Sequence, residues 1–268
     1  MSSVWLAVFT LAEREWVRFI RQRNRVFGAI GQPIIFWLLF GAGLGPSFQL
    51  PGAAGKLSYS AYFFPGSLIL ILLFTAIFAT ISIIEDRREV FLQSVLVAPT
   101  PRWAMVLGKV LGGSLIALVQ GLLFLILGLT VGISLSLLSF LAIVAFLFLV
   151  AFALVSLGFV IAWRLDSTQG FHAIMSVFLM PMWLLSGAFF PPGAGVLAWV
   201  IRLNPLTYGV AGLRRLLYWQ APPEMNAAAL PPGLPSMDLC LAVTVIFAIG
   251  MFALACGISK QRTSADLV

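Results

Sequence analysis

The chain has 268 residues, of which 61% are hydrophobic and only 9% charged, and it carries a net charge of +7. A water-soluble domain needs roughly 25% charged residues to cover its surface, so a soluble enzyme domain is excluded and lipid is the expected outer solvent. The basic excess does not point to nucleic acid. The Lys and Arg residues sit at the ends of apolar runs, where they set orientation in an anionic bilayer.

The expected fold class is all-α: a polytopic membrane protein forming one transmembrane domain over residues 1–268. Residues 2–25 read as an amphipathic helix lying on the membrane. Trp5, Phe9, Ala12, Trp16 and Ile20 fall on one face and Arg14, Arg18, Arg21 and Arg25 on the other, a division suited to the headgroup boundary. Six apolar runs then follow near 26–45, 61–84, 104–130, 137–163, 170–190 and 237–259, each long enough to cross roughly 30 Å of hydrocarbon. Pro33, Pro65 and Pro181 fall inside or at the edge of these runs, which lipid-embedded helices tolerate when neighbours satisfy the freed carbonyls. Between the fifth and sixth runs, residues 191–220 contain apolar stretches too short to span, punctuated by prolines. They read as short re-entrant or external helices, with a seventh span as the alternative. Cys240 and Cys256 both lie in the last run, roughly 24 Å apart on a helix, too far for a disulfide.

With six spans, both termini lie on one side. Taking that side as cytoplasmic puts Arg14, Arg18, Arg21, Arg23, Arg25, Arg87, Arg88, Arg102, Lys109, Arg164, Lys260 and Arg262 inside. Lys56, Arg202, Arg214 and Arg215 are left outside. That bias satisfies the positive-inside rule and predicts a multi-pass protein of the cytoplasmic membrane with both termini inside.

No ionisable group falls in the cores of the predicted spans. The acidic residues Glu13, Glu15, Glu85, Asp86, Glu89, Asp166, Glu224, Asp238 and Asp266 sit in loops or at helix ends. His172 reads as a packed or interfacial residue. Proton- or sodium-driven carriers need intramembrane carboxylates or carbonyl sites, and membrane hydrolases need metal ligands or a base beside a serine. The chain offers neither, so no catalytic residue, no metal site and no cofactor of its own is expected. A phosphate loop is not met either: in Gly52–Leu57, Leu50 stands where the first Gly belongs and Leu57 follows the Lys. Uphill movement would then draw its energy from a partner.

The polar stretch 85–103 begins with Glu85-Asp86-Arg87-Arg88-Glu89, continues as a short amphipathic segment through Leu92, and stops at Pro99 and Pro101 before Arg102. Such a segment can dock a soluble partner, or it can be an ordinary basic loop. In the third run, Gly108 and Gly112 form a GxxxG pair, read as internal packing rather than a dimer contact. In the fifth, Met175, Met180, Met182, Phe178 and Trp183 read as core or lipid contacts first, and as the lining of a path for amphiphilic cargo second.

Three local patterns in this order resemble the membrane subunit (permease) of type-2 ABC exporters, the drug, lipid and polysaccharide export class. They are Val97-Ala98-Pro99-Thr100-Pro101-Arg102-Trp103 with Leu107-Gly108-Lys109, then Leu185-Ser186-Gly187-Ala188-Phe189-Phe190-Pro191-Pro192, then Asn204-Pro205-Leu206-Thr207-Tyr208 with Gly212-Leu213-Arg214. The resemblance covers nearly the whole chain. It implies a homodimer or pseudo-dimer on two separately encoded ATP-binding subunits, which hold the ATP and Mg. It also implies that 85–103 carries the coupling helix, with Glu85, Asp86, Arg87, Arg88, Glu89, Leu92, Pro99 and Arg102 facing the ATPase. Gly187, Phe189, Phe190, Pro191, Asn204, Pro205 and Tyr208 would belong to an external gate. One departure is Val90, where members often carry Gly. The rival expectation is a stand-alone channel or scaffold with no ATPase.

Overall fold

The computed structural model describes residues 3–44, 58–89, 95, 100–189, 195–231 and 233–260, and among these every regular element is helical. The order is α1 (Ser3–Arg21), α2 (Arg23–Leu44), α3 (Tyr59–Arg88), α4 (Arg102–Leu125), α5 (Leu137–Trp163), α6 (Thr168–Trp183), α7 (Val196–Leu203), α8 (Pro205–Leu217), α9 (Pro223–Ala229) and α10 (Met237–Ser259). Among the described residues six helices are long and apolar enough to cross a membrane: α2, α3, α4 with its 3-10 extension to Val131, α5, α6 with its extension to Ala188, and α10. The helices α7 and α8, of 8 and 13 residues, are too short to span at about 1.5 Å per residue. The expected short helices between the fifth and sixth spans are therefore present, and none of the helices described there is long enough for a seventh span.

Serine hydroxyls start several spans by capping orphan N–H groups. Ser58 accepts from Ala61 N, Ser136 and Ser139 form a reciprocal capping box, and Ser236 accepts from Leu239 N. Most side chains of α3 are buried along its whole length, so it is the central post, with α2, α4, α5, α6 and α8 packed around it. By contrast α2, α6 and α10 keep most of their apolar surface outside. Phe27, Leu39, Val177, Phe178 and Ile246 are among the exposed side chains.

The N-terminal helix is amphipathic as expected, with Trp5, Leu6, Phe9 and Ile20 exposed. It ends at Arg21, however, and Arg25 belongs to α2. Its other face is packed on α4 rather than turned to water. The contact is close because Gly108 and Gly112 have no side chain. A Cβ on Gly108 would lie 2.8 Å from Val8 O, and one on Gly112 2.9 Å from Ala12 O. The GxxxG pair thus serves internal packing, as read from the sequence, and its partner is α1. The second span also outruns its expected end at residue 84 and continues as helix to Arg88, because its terminal charges find partners inside the chain.

Candidate functional site

At one end of the bundle, α1, the start of α2, the last turns of α3 and the second turn of α4 bring together four cations and four carboxylates: Arg14, Arg18, Arg25 and Lys109 with Glu15, Glu85, Asp86 and Glu89. Asp86 is the hub, with a fully buried side chain. Its Oδ1 accepts from Arg14 Nη2 at 2.7 Å and from Arg18 Nη1; its Oδ2 accepts from Arg14 Nη1 at 3.0 Å and from Lys109 Nζ. Lys109, also buried, donates to Glu15 Oε1 at 2.8 Å. Arg18 donates to Glu85 at 2.9 Å and to Glu89 at 3.3 Å, and Arg25 to the other Glu85 oxygen. Burial works against the charge on Arg18, but Asp86, then Glu85 and Glu89, outweigh it and hold its pKa above the ordinary arginine value. The remaining residues of the acidic-basic run point the other way. Arg87 donates to Trp163 O at 2.6 Å and to Asp166 at 2.9 Å, and Arg88 to Asp166 O at 2.8 Å. The end of α3 is therefore tied to α1, α2, α4 and the α5–α6 turn.

This corrects one expectation. The charges of 85–89 do not form an open loop: Glu85–Arg88 are helical, and each of the five residues is engaged within the chain, including Glu89 with 60% of its side chain exposed. The residues Glu15, Asp86, Lys109 and Arg214 are all buried, which their expected places in loops, at helix ends or near span ends did not indicate. Single-residue patterning missed the network because its hydrogen-bonded partners lie 23 to 94 positions apart; the one signal was the matching excess of Arg in 14–25 and of acid in 85–89. Among the other expected coupling residues, Arg102 donates to Ser259 O and so ties α4 to the end of α10. Leu92 and Pro99 lie outside the described residues.

At the opposite end, α6 stops being regular. Pro181 lies in its last turn, and residues 184–188 form a wide helical turn in which Leu185 and Gly187 leave helical geometry, Gly187 at φ +74°. That left-handed conformation is open to glycine without penalty. The first turns of α3 surround this break. Trp183 Nε1 donates to Gly66 O at 2.8 Å, Tyr62 OH to Gly187 O and Tyr59 OH to Phe189 O, both at 3.4 Å. Phe189 packs edge-on against Phe40, Phe63 and Trp183 at centroid distances of 4.6, 4.9 and 5.4 Å. Asn204 caps α8 by accepting from Leu206 N at 3.0 Å and donates to Met182 O, and Pro205 occupies the first helical position. Tyr208 OH donates to Arg202 O at 2.8 Å, a bond within the α7–α8 corner and not to the break. Five of the gate residues expected from the sequence thus divide into a break with its cap, formed by Gly187, Phe189, Asn204 and Pro205, and a neighbour, Tyr208. Phe190 and Pro191 lie outside the described residues.

Between these ends, a cavity of about 250 Å³ opens between α2, α3 and α6, lined by Gln32, Phe74, His172, Met175, Ser176 and Met180. His172 is exposed there and sits edge-on to Phe78 at 6.0 Å. Gln120 of α4 is buried and used in packing, accepting from Thr75 on α3. Among the described residues no three His, Cys, Asp or Glu side chains are grouped so as to hold a metal ion.

Comparison with known proteins follows this geometry. A family model described as "ABC-2 type transporter" matches residues 7–218, a stretch that includes both the charge network and the break. A protein of Cyanophora paradoxa named as a transport permease, ycf38, is 26% identical over 217 residues, covering 78% of this chain and 73% of the relative. The chain therefore belongs to the ABC-2 type transporter family, as a multi-pass membrane permease of an ABC transporter, a class that works with an ATP-binding cassette partner.

Proposed function

We propose that this permease is an exporter subunit of the cytoplasmic membrane. Two copies, each seated on an ATP-binding subunit that holds ATP and Mg, move an amphiphilic cargo outward: a drug-like molecule, a lipid or a lipid-linked glycan. The network end is cytoplasmic in this reading, with both termini on that side. The segment between Glu89 and Arg102 is the coupling segment.

The observation that carries the reading is the run of α3. This one helix of 30 residues, about 45 Å long, begins at Tyr59 and Tyr62 against the α6 break and ends at Asp86 in the ion-pair network. The residues that flank 90–99 are tied within the chain, Glu89 to Arg18 of the network and Arg102 to Ser259 of α10. A push on that segment by a closing ATPase pair would enter a charge-locked block of α1, α3 and α4, and α3 would deliver it to the break. The exposed apolar faces of α2 and α6 flank the cavity that holds Gln32, His172 and Ser176. That arrangement supports a second copy on this side and a path between the two.

Co-expression with the cognate ATP-binding subunit tests this reading. The expected result is a complex that survives purification, carries two permease chains, and loses its ATPase stimulation when residues 90–99 are replaced by a Gly-Ser linker. A chain that purifies alone, and whose loop replacement leaves any bound ATPase unchanged, contradicts it.

A further inference from the structure

Arg214 lies in α8, only 1% exposed. Its guanidinium carbon is 3.9 Å from the centroid of the Tyr62 ring, and Nη2 donates to Gly187 O at 3.4 Å. Its Nε and Nη1 have no hydrogen-bond partner, and no carboxylate pairs with it among the described residues. Its neighbour Arg215 makes the contrast: Nε and Nη2 of that residue donate to Pro235 O at 2.6 Å and Leu234 O at 3.0 Å, an ordinary use of arginine to satisfy a loop.

A buried guanidinium with no counter-charge and two idle donors works against folding, since apolar replacement of buried charge is often neutral or stabilising. The packing of α8 does not need it either. Tyr218 OH donates to Ala61 O at 2.7 Å, and Asn204 ties the other end of α8 to Met182 O. What Arg214 does touch is the one carbonyl at the left-handed residue of the α6 break, from a platform supplied by α3.

We propose that Arg214 is a positioning residue for the outer break: stacked on Tyr62, it clamps the Gly187 carbonyl in the present arrangement, and its idle N–H donors receive backbone carbonyls of residues 184–188 when the segment rearranges. The break then has two supported forms, and α3, through Tyr62, selects between them. This inference rests on reading the break as the outer gate.

The test uses the full permease–ATPase complex with Cys240 and Cys256 changed to Ala and with Ser186→Cys as a reporter. Ser186 is buried, so a membrane-impermeant maleimide labels it only when the break opens. In the reporter protein, labelling that rises with ATP supports the gate reading, and labelling that ignores ATP refutes that reading independently of Arg214. Adding Arg214→Met is expected to raise nucleotide-free labelling several-fold, to abolish its ATP dependence, and to cut export several-fold more than ATP hydrolysis, with a thermal midpoint no lower than before. Tyr62→Leu, which removes the platform and keeps the charge, is expected to reproduce this, and Tyr62→Phe to retain more export than Tyr62→Leu. Unchanged labelling and export in Arg214→Met overturns the proposal. A lowered midpoint, or failure of that variant to fold, overturns it too, because it assigns Arg214 to holding the fold.

Discussion

Replacing Asp86 by Asn isolates the energetic core of the charge network. Each Asp86 oxygen accepts two charge-assisted bonds, Oδ1 from Arg14 and Arg18 and Oδ2 from Arg14 and Lys109. An amide in either orientation therefore turns an N–H₂ donor toward two cationic donors. The substitution also leaves four buried or half-buried cations facing three carboxylates. Removing one partner from a buried ion pair costs about 3–5 kcal/mol, and Asp86→Asn is placed in that range. Lys109→Met alone leaves Glu15, which is 4% exposed, with only the longer 3.6 Å contact to Arg14, and should also destabilise the fold. The double variant Asp86→Asn/Lys109→Met restores charge balance, so its loss should fall short of the sum of the single losses by about 1–3 kcal/mol. The assay is denaturant or thermal unfolding of the purified permease in detergent, carried through the whole double-mutant cycle. Single-variant losses near zero, or a strictly additive cycle, would refute the claim that these groups form one coupled network.

Three further outcomes follow from individual contacts. Gly112→Leu places a Cβ 2.9 Å from Ala12 O, and pushing α1 off α4 should cost about 1–3 kcal/mol, seen as a lower thermal midpoint and faster protease cutting between α1 and α2. Gly187→Ala meets no atom within 4 Å, so its cost is purely that of the φ +74° backbone, about 1–2 kcal/mol for an L-residue; Gly187→Asn should recover part of it in the same unfolding assay. Trp183→Phe keeps an aromatic ring against Phe63 and Phe189 but removes the indole bond to Gly66 O, and the loss of one such hydrogen bond costs about 0.5–1.5 kcal/mol, measurable in the same way.

The spans were readable because crossing lipid demands an uninterrupted apolar run, a local property of the chain. The amphipathic face of α1 was readable in part for a similar reason: Trp5, Phe9 and Ile20 recur at helical spacing and are exposed, whereas Ala12 and Trp16 of the same expected face pack inward, against Gly112 and against the cluster of Phe19, Ala29 and Ile116. Its basic face was read as facing water or headgroups, because nothing local shows that Arg14 and Arg18 meet Asp86, 72 and 68 positions away. The same limit placed the end of the second span too early. The charges of Glu85–Arg88 look like a loop until they are neutralised by another helix, after which the helix runs on to Arg88. At the break, Gly187 and the Asn204-Pro205 cap carry recognisable local signatures, a left-handed glycine and an N-cap followed by proline. Arg214 closes the third of the local patterns, but nothing local tells it from Arg215, and only the fold shows that one arginine is buried with two donors unused while the other serves a loop.

The account's central claim is that this permease has no drive of its own and receives it at the network end from an ATP-hydrolysing partner. Transport of a fluorescent amphiphile into sealed inside-out vesicles, against its gradient, measures this directly when the permease is reconstituted with and without its ATP-binding subunit. The account predicts accumulation that requires both the subunit and ATP. Accumulation by the permease alone would contradict it.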